Sequence, residues 1–301
     1  MYSWIVFWYN AHMSYQILLY YKYVEVTDPT AIKLWQRTLC QQLDLKGRII
    51  VAPEGINGTV EGPIDNINQY VRAMREYPPF NTIKYKRSEG TGTAFPNLSV
   101  KVRADIISNS VAEWDVNPAH MTGKYLTADE LHEWYESGKK FYLVDMRNDY
   151  EHKSGHFENA ILPELENFRD LPKVLPQLQQ LTDAPVVTVC TGGVRCEKAT
   201  GFLVKHGMQD VYQLQDGIVT YMEKYPNQHF KGKLYVFDDR VLMGFDTDSP
   251  QHEIVGRCSV CQKPSEQYVN CTNDECHRHL ICCEECLSTR TPFTCPQGCR
   301  A

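Results

Sequence analysis

The run Gln16-Ile17-Leu18-Leu19-Tyr20-Tyr21 is apolar and of strand length, and the pattern changes immediately after it. Ile32, Trp35, Leu39 and Leu43 recur at the spacing of one helix face, behind Asp28-Pro29, an N-cap followed by a first-turn proline. Gly47-Arg48-Ile49-Ile50-Val51 predicts a second strand, and Gly55-Ile56-Asn57-Gly58 predicts the hairpin turn that leads into Thr59-Val60. Pro63 then opens a helix with Ile64, Ile67, Val71 and Met74 on one side, and Thr82 to Lys86 closes the unit as a strand. The order βαββαβ is that of a ferredoxin-like fold, predicted for residues 14–110, with Leu98 to Arg103 as an added strand.

A second region, residues 117–228, alternates strands and helices. Thr127-Ala128-Asp129-Glu130 is a capping box ahead of Leu131, Trp134 and Tyr135. Phe141 to Val144 reads as a strand ending at Asp145, Val186 to Val189 as a buried strand ending at Cys190, and Val211 to Leu214 as a third. Ala199, Phe202 and Leu203 give the intervening helix a buried face, and Gly207 ends it. Such alternation predicts a doubly wound parallel sheet with ligands beyond the carboxyl ends of its strands. Cys190 and Asp145 both stand at such ends.

Past a strand-like Lys233 to Phe237, residues 256–301 carry nine of the 12 cysteines. Eight form short-spaced pairs: Cys258 with Cys261, Cys271 with Cys276, Cys283 with Cys286, and Cys295 with Cys299. Too few apolar residues accompany them to hold a fold, so the spacing predicts two tetrahedral zinc sites, with Cys282 the spare thiol. An interleaved brace would join the first pair to the third and the second to the fourth, but spacing leaves the pairing open. The overall class is thus multidomain, α+β then α/β, with a small Cys-rich zinc-binding tail.

Composition narrows the function. At 301 residues the chain is long enough for two domains or three small ones, and its formal charge of −6 gives no global signal for nucleic acid. No apolar run is long enough to span a membrane. Met1 to Met13 is aromatic and short, without a charged n-region or a cleavage site. Its abrupt composition predicts Met13 as the natural start and residues 1–13 as a non-native or disordered extension. Two candidate active-site thiols, Cys190 and Cys196, argue for a reducing, cytoplasmic setting.

The sharpest chemical signal is Val186 to Ala199, VVTVCTGGVRCEKA. A cysteine at a strand end, followed by Thr191-Gly192-Gly193-Val194-Arg195 and a helix start, has backbone N–H groups and a helix dipole aimed at its sulfur. That environment favours a thiolate nucleophile. CTGGVR resembles the active-site loop of rhodanese-type sulfurtransferases, and DMRNDYEHKSGHFENA, from Asp145 to Ala160, resembles their other signature. Only four residues separate Cys190 from Arg195, a loop sized for a persulfide sulfur rather than the larger phosphate of Cys-loop phosphatases. In the N-terminal region YYKYV, KGRI and EGINGTV are similar to bacterial tRNA uridine-34 hydroxylases, the TrhO family, and GKYL, NDYE, GHF and CTGGVRCEKA follow in that family's order. The resemblance runs from Met13 to the Cys-rich tail. It implies an acylphosphatase-like first domain, a rhodanese domain, and O2-dependent hydroxylation of tRNA at C5 of the wobble uridine.

Three functions compete: this hydroxylation, persulfide sulfur transfer to RNA or another acceptor, and a non-enzymatic thiol or zinc sensor. Loop chemistry alone ranks sulfur transfer first; the full-length resemblance puts hydroxylation ahead. Cys190 is the expected nucleophile, Arg195 lowers its pKa, contacts a phosphate or forms a surface ion pair, and Cys196 is a resolving or passive thiol. Asp145 and Arg147 read as a pair bracing the loop. Glu151 shares that ambiguity, and His156 reads first as structural. For an acidic chain to meet tRNA a local basic surface is needed, and Lys84, Lys86 and Arg87, with Lys101 and Arg103, lie on two candidate strands with Tyr85 placed to stack on a base. No Gly-rich nucleotide fingerprint follows a strand. No two-His-one-carboxylate set is legible along the chain, though such a site need not be local.

Overall fold

The computed structural model describes residues 14–107, 114–276, 278–290, 292–296 and 298–299; the expected extension, residues 1–13, lies outside them. The chain divides into two units between Arg103 and Ala104.

In the first unit, β1 (Tyr15–Tyr23), α1 (Pro29–Gln42), β2 (Lys46–Ala52), β3 (Gly55–Pro63), α2 (Ile64–Glu76) and β4 (Tyr85–Gly90) follow the expected βαββαβ order, and β5 (Leu98–Val102) is the added strand. They form one sheet in the order β4-β1-β3-β2-β5, antiparallel except where β5 runs parallel to β2. Asp28 caps α1 by accepting from the backbone N–H of Thr30 and Ala31 at 3.0 and 2.9 Å. Leu18, Tyr20, Ile49 and Val51 of the sheet bury against Ile32, Cys40, Ile67, Val71 and Met74 of the two helices.

Three expectations shift. The hairpin turn is Pro53-Glu54, and Gly55 already pairs with Ala52 inside β3. The glycines that suggested a turn serve close approach instead: a Cβ on Gly58 would lie 2.4 Å from the Tyr20 hydroxyl. Ile64, at the first helical position, stays 37% exposed, and Tyr70 is the buried aromatic of α2. The closing strand starts at Tyr85, because Ile83 first plugs into the core.

The second unit contains β6 (Lys124–Leu126), α3 (Ala128–Glu136), β7 (Tyr142–Asp145), α4 (Asp149–His152), β8 (Gly155–Phe157), α5 (Leu171–Leu178), β9 (Val186–Val189), α6 (Val194–Lys205), β10 (Val211–Leu214) and α7 (Gly217–Lys224). Then come β11 (Phe230–Gly232), β12 (Leu234–Tyr235), β13 (Leu242–Met243), β14 (Tyr268–Asn270), β15 (His279–Ile281) and α8 (Glu284–Ser288). The parallel sheet has the order β6-β10-β9-β7. All four residues of central β9 are buried, as a strand covered on both faces requires. Both halves of the capping box on α3 form: Glu130 N–H to Thr127 Oγ1 at 3.2 Å and Thr127 N–H to Glu130 Oε2 at 2.8 Å. The strand expected over Lys233 to Phe237 shrinks to the two residues of β12, paired with β13.

Candidate active site and metal centres

Cys190 follows β9 directly and is fully buried. Gly193, at φ 98°, adopts a left-handed conformation that only glycine takes without strain. This turns its N–H onto the Cys190 sulfur at 3.2 Å and starts α6 at Val194. The loop's outward carbonyls are held from the other side. The N–H groups of Ile218 and Val219 in α7 donate to the carbonyls of Cys190 and Thr191 at 2.9 and 3.1 Å.

Burial pushes the Cys190 thiol up. The Cys196 thiol, the Arg195 charge and the backbone N–H groups of Cys196 and Arg195 together outweigh it and bring it down to about 6. Burial and the neighbouring Cys190 sulfur hold Cys196 well above the ordinary thiol range. The pair therefore keeps one proton near neutral pH, on Cys196, with Cys190 as the thiolate. Since the thiolate is the reactive form, the rate of any reaction at Cys190 is expected to rise as pH climbs through about 6, then stay level to pH 8. Cys196→Ala removes the largest stabilising partner, so a pH–rate profile of that variant should inflect at higher pH. An unmoved inflection would show that Cys196 does not support the thiolate.

Of the alternatives for Arg195, a surface ion pair is not what forms. Arg195 is buried, and its two terminal nitrogens meet Glu151 Oε1 and Oε2 at 2.5 and 2.9 Å, with Nη2 also 3.2 Å from Thr191 Oγ1. Burial disfavours the guanidinium charge, but Glu151 more than restores it, so Arg195 stays cationic beside the sulfur. Glu151 also accepts from the Asn148 N–H at 2.9 Å, which fixes α4 to the loop. Asp145 and Arg147 are fully buried and paired: Nη2 reaches Oδ2 at 2.6 Å and then the Gly155 carbonyl at 2.7 Å. Despite burial, Arg147 holds the Asp145 carboxyl below the usual range. His156 lies on β8, its Nδ1 3.1 Å from the Phe157 carbonyl. Glu197 was not anticipated: buried in α6, it accepts from Tyr125, Thr122 and Gln213 at 3.0 to 3.1 Å.

The cysteine pairs interleave. Cys258, Cys261, Cys283 and Cys286 form one group, and Cys271, Cys276, Cys295 and Cys299 the other, each with all sulfurs within 4.8 Å. Cys261 to Cys283 and Cys271 to Cys299 are 3.6 Å apart, and Cys276 to Cys295 is 3.5 Å. A disulfide needs about 2.05 Å. A tetrahedron with metal–sulfur bonds of about 2.3 Å has edges of roughly 3.8 Å. Both groups therefore fit one metal ion each. Cys282 stays outside them, its sulfur on the Cys283 carbonyl at 3.6 Å.

The basic residues of the first unit do not form one stripe. β4, with Lys86 and Arg87, and β5, with Lys101, are opposite edges of the sheet, and Arg103 follows β5. Lys84 just precedes β4. Arg87 turns toward the helices, bonded to Gln16 and, at 3.1 Å, to Asn68. Tyr85 shares that side, 5.4 Å from the Tyr20 ring, with a buried hydroxyl; it packs on the core and does not offer a face to a base. Register places Lys86 opposite Leu19, on the other face, where its ammonium lies 5.4 Å from the Tyr21 ring. Tyr21 and Tyr23 meet edge to face at 6.2 Å. The alternation in Tyr20-Tyr21-Lys22-Tyr23 carried that signal.

The structure also gathers a two-His-one-carboxylate group that spacing did not reveal: His132, Glu136 and His229, with ligand atoms within 4.8 Å. His229 already bonds Glu136 at 2.9 Å and Glu158 at 3.3 Å, and its ring stacks on Tyr135.

A parallel α/β sheet whose central strand ends in a cysteine thiolate loop defines a rhodanese-like protein, here with an acylphosphatase-like unit before it and a cysteine-rich tail behind. Residues 15–106 match the UPF0176 acylphosphatase like domain, 127–224 the rhodanese-like domain and 231–300 the rhodanase C-terminal region. A tRNA uridine(34) hydroxylase of Arthrobacter sp. (strain FB24) is 40% identical over 296 residues, 95% of this chain and 99% of the relative. One from Cytophaga hutchinsonii is 39% identical over 287 residues, 95% and 90% respectively. The chain belongs to the tRNA uridine(34) hydroxylase family.

Proposed function

We propose that this chain hydroxylates uridine 34 of tRNA at C5, with O2 as the oxygen source and Cys190 as the activating nucleophile. The observation that carries this reading is the buried Cys190 thiolate at a strand end, held by the Gly193 N–H and the Arg195 charge. A loop base leaves its stack at low cost and enters such a site. Because Cys190 is wholly buried, this reading requires the side chains over the loop to give way as the base arrives. Addition of the sulfur to C6 forms a C–S bond and moves the C5=C6 electron pair toward C5 and O4. The electron-rich C5 bonds to oxygen. Two electrons and two protons from an external donor release the second oxygen atom as water. Loss of the C5 proton with departure of the sulfur restores the double bond, leaving 5-hydroxyuridine and the thiolate. Thr191, Gly192, Gly193 and Val194 form the cradle, Arg195 keeps the sulfur anionic, and Asp145 with Arg147 braces the strand end.

The test is deletion of the gene and mass spectrometry of the nucleosides in bulk tRNA, with wild-type and Cys190→Ala complementation. Loss of 5-hydroxyuridine derivatives, restored only by wild type, is the expected result. Loss of a thiolated nucleoside would make the protein a persulfide sulfurtransferase, and no change in either would favour a sensor.

The two thiolate groups are read as structural zinc sites that close the tail. Metal analysis should find two zinc ions per chain, with Cys258→Ser and Cys271→Ser each losing one. Metal content unchanged in either variant would rule out that ligand set.

The sheet face away from the helices, bearing Tyr21, Tyr23 and Lys86 with Lys101 near its far edge, is read as a tRNA-binding surface. Charge reversal at Lys86 and Lys101 together is expected to weaken tRNA binding at least tenfold in low salt. Unaltered affinity would discard the surface. We read the protein as cytoplasmic, which its tRNA substrate and its reactive thiols support; among the described residues no helix is long and apolar enough to cross a membrane.

A further inference from the structure

A cleft of about 740 Å³ separates α4 from the Cys-rich tail within the second unit. Tyr150 and Lys153 line one wall, Arg257, Arg278 and His279 the other, and Phe237 stands at its edge. The walls are fixed to each other: the Tyr268 hydroxyl donates to the Tyr150 carbonyl at 2.5 Å, and the Tyr235 hydroxyl meets His279 Nδ1 at 3.0 Å. The cleft is thus formed before any ligand arrives.

Two observations say what it takes. The first is an excess of positive charge: Lys153, Arg257 and Arg278 line the cleft against two carboxylates, Asp149 and Glu166. Arg278 Nη2 is buried with no hydrogen-bond partner among the described residues, and neither Arg257 nor Arg278 is ion-paired among them. Lys153 has only a loose pairing with Asp149 at 3.7 Å. A buried guanidinium nitrogen without an acceptor is costly, and a phosphate oxygen supplies one. The second is an exposed ring next to the reactive loop. Phe237 is 48% exposed, and the Arg195 guanidinium lies 5.9 Å from its ring centre. The cleft and the thiolate loop therefore share Phe237, and Tyr150 on the cleft wall adjoins Glu151, which grips Arg195.

We propose that this cleft is the subsite for the nucleotide next to the reacting uridine, with Arg257 and Arg278 taking its phosphodiester and Phe237 stacking on its base. It rests on the tRNA reading above and adds where the RNA strand runs. Two guanidinium groups without an ion pair among the described residues, beside an exposed aromatic face, suit single-stranded RNA, which offers a phosphate and a π-face one nucleotide apart.

The test uses the full-length, metal-loaded protein and an anticodon stem–loop RNA, with affinity measured by fluorescence anisotropy across a salt series. The double variant Arg257→Gln/Arg278→Gln should bind at least tenfold more weakly. Its log K against log salt should flatten by about 0.7 for each phosphate that is no longer neutralised. Phe237→Ala should bind about tenfold more weakly with an unchanged salt slope, and Phe237→Trp should restore the affinity. In turnover assays the loss should fall more on KM than on kcat. Metal content accompanies every variant, because Arg257 and Arg278 lie near the thiolate groups. Where the arginine variants lose metal, Phe237→Ala and Lys153→Gln, away from those sulfurs, decide the matter. Variants that keep their metal and match the wild type in affinity and slope overturn the cleft. Equal losses with a duplex lacking the loop would overturn it too, by showing a general polyanion surface. Wild-type protein that neither binds nor hydroxylates the stem–loop sinks the tRNA reading instead.

Discussion

Cys190→Ser is expected to lower kcat/KM for uridine hydroxylation by at least about 10³-fold while leaving the fold intact. A serine is nearly isosteric and still accepts the Gly193 N–H, so the cradle persists. What disappears is the anion. A thiol brought down to about 6 is mostly ionised at pH 7, whereas a hydroxyl in the same place stays protonated. Without an anionic nucleophile no C–S bond forms, C5 of the base stays electron-poor, and oxygen finds nothing to react with. Single-turnover assays on tRNA lacking the modification would measure the effect. Full activity in Cys190→Ser would remove covalent activation and reduce the loop to a binding element. RNA affinity is the accompanying control, and it should change less than tenfold because the residues assigned to RNA lie elsewhere.

Glu151→Gln is expected to cost about 3–5 kcal/mol of stability, read from the denaturant midpoint at constant m. The change removes one negative charge and almost no volume, yet Arg195 is then a buried cation facing a neutral amide. The glutamine Oε1 can still accept the Asn148 N–H, so the start of α4 stays capped and the cost falls on Arg195. Activity should fall with stability, because the guanidinium that shifts toward water no longer stands beside the sulfur. Arg195→Met in the Glu151→Gln background should recover much of the stability and none of the activity. A cost below 1 kcal/mol for the single change would mean that Arg195 swings out to solvent and that the pair does not hold the loop.

The sequence carried much of the fold for identifiable reasons. Asp28-Pro29 and the Thr127 to Glu130 capping box are local devices, and both form as their spacing predicts. The run Val186 to Val189 admits one role, a strand buried on both faces, and Gly193 one conformation. Glycine was ambiguous where its reason was distant: Gly58 reads as a turn along the chain, but it makes room for the Tyr20 ring on the adjacent strand. Tyr85 and Arg87 came to lie on the helix side of the sheet for a related reason. Strand alternation divides neighbouring residues between two faces, and only the sheet decides which face is open. The spacing of the cysteines could be matched to metal geometry, while the pairing needed the fold of the tail. Glu151 lies 44 positions from Arg195, and His132 lies far from His229, so neither partnership leaves a periodic trace.

The interleaving of the cysteine pairs also bears on how the tail takes up its metals. One group closes the chain between Cys261 and Cys283, 22 positions apart, and the other between Cys276 and Cys295, 19 apart, so each loop contains a pair belonging to the other. Ordering either loop brings the enclosed pair nearer to its own partners and reduces the entropy left to lose at the second closure. A second ion would then bind more tightly than the first, and a variant deprived of one site should hold its remaining ion more weakly than the intact tail does.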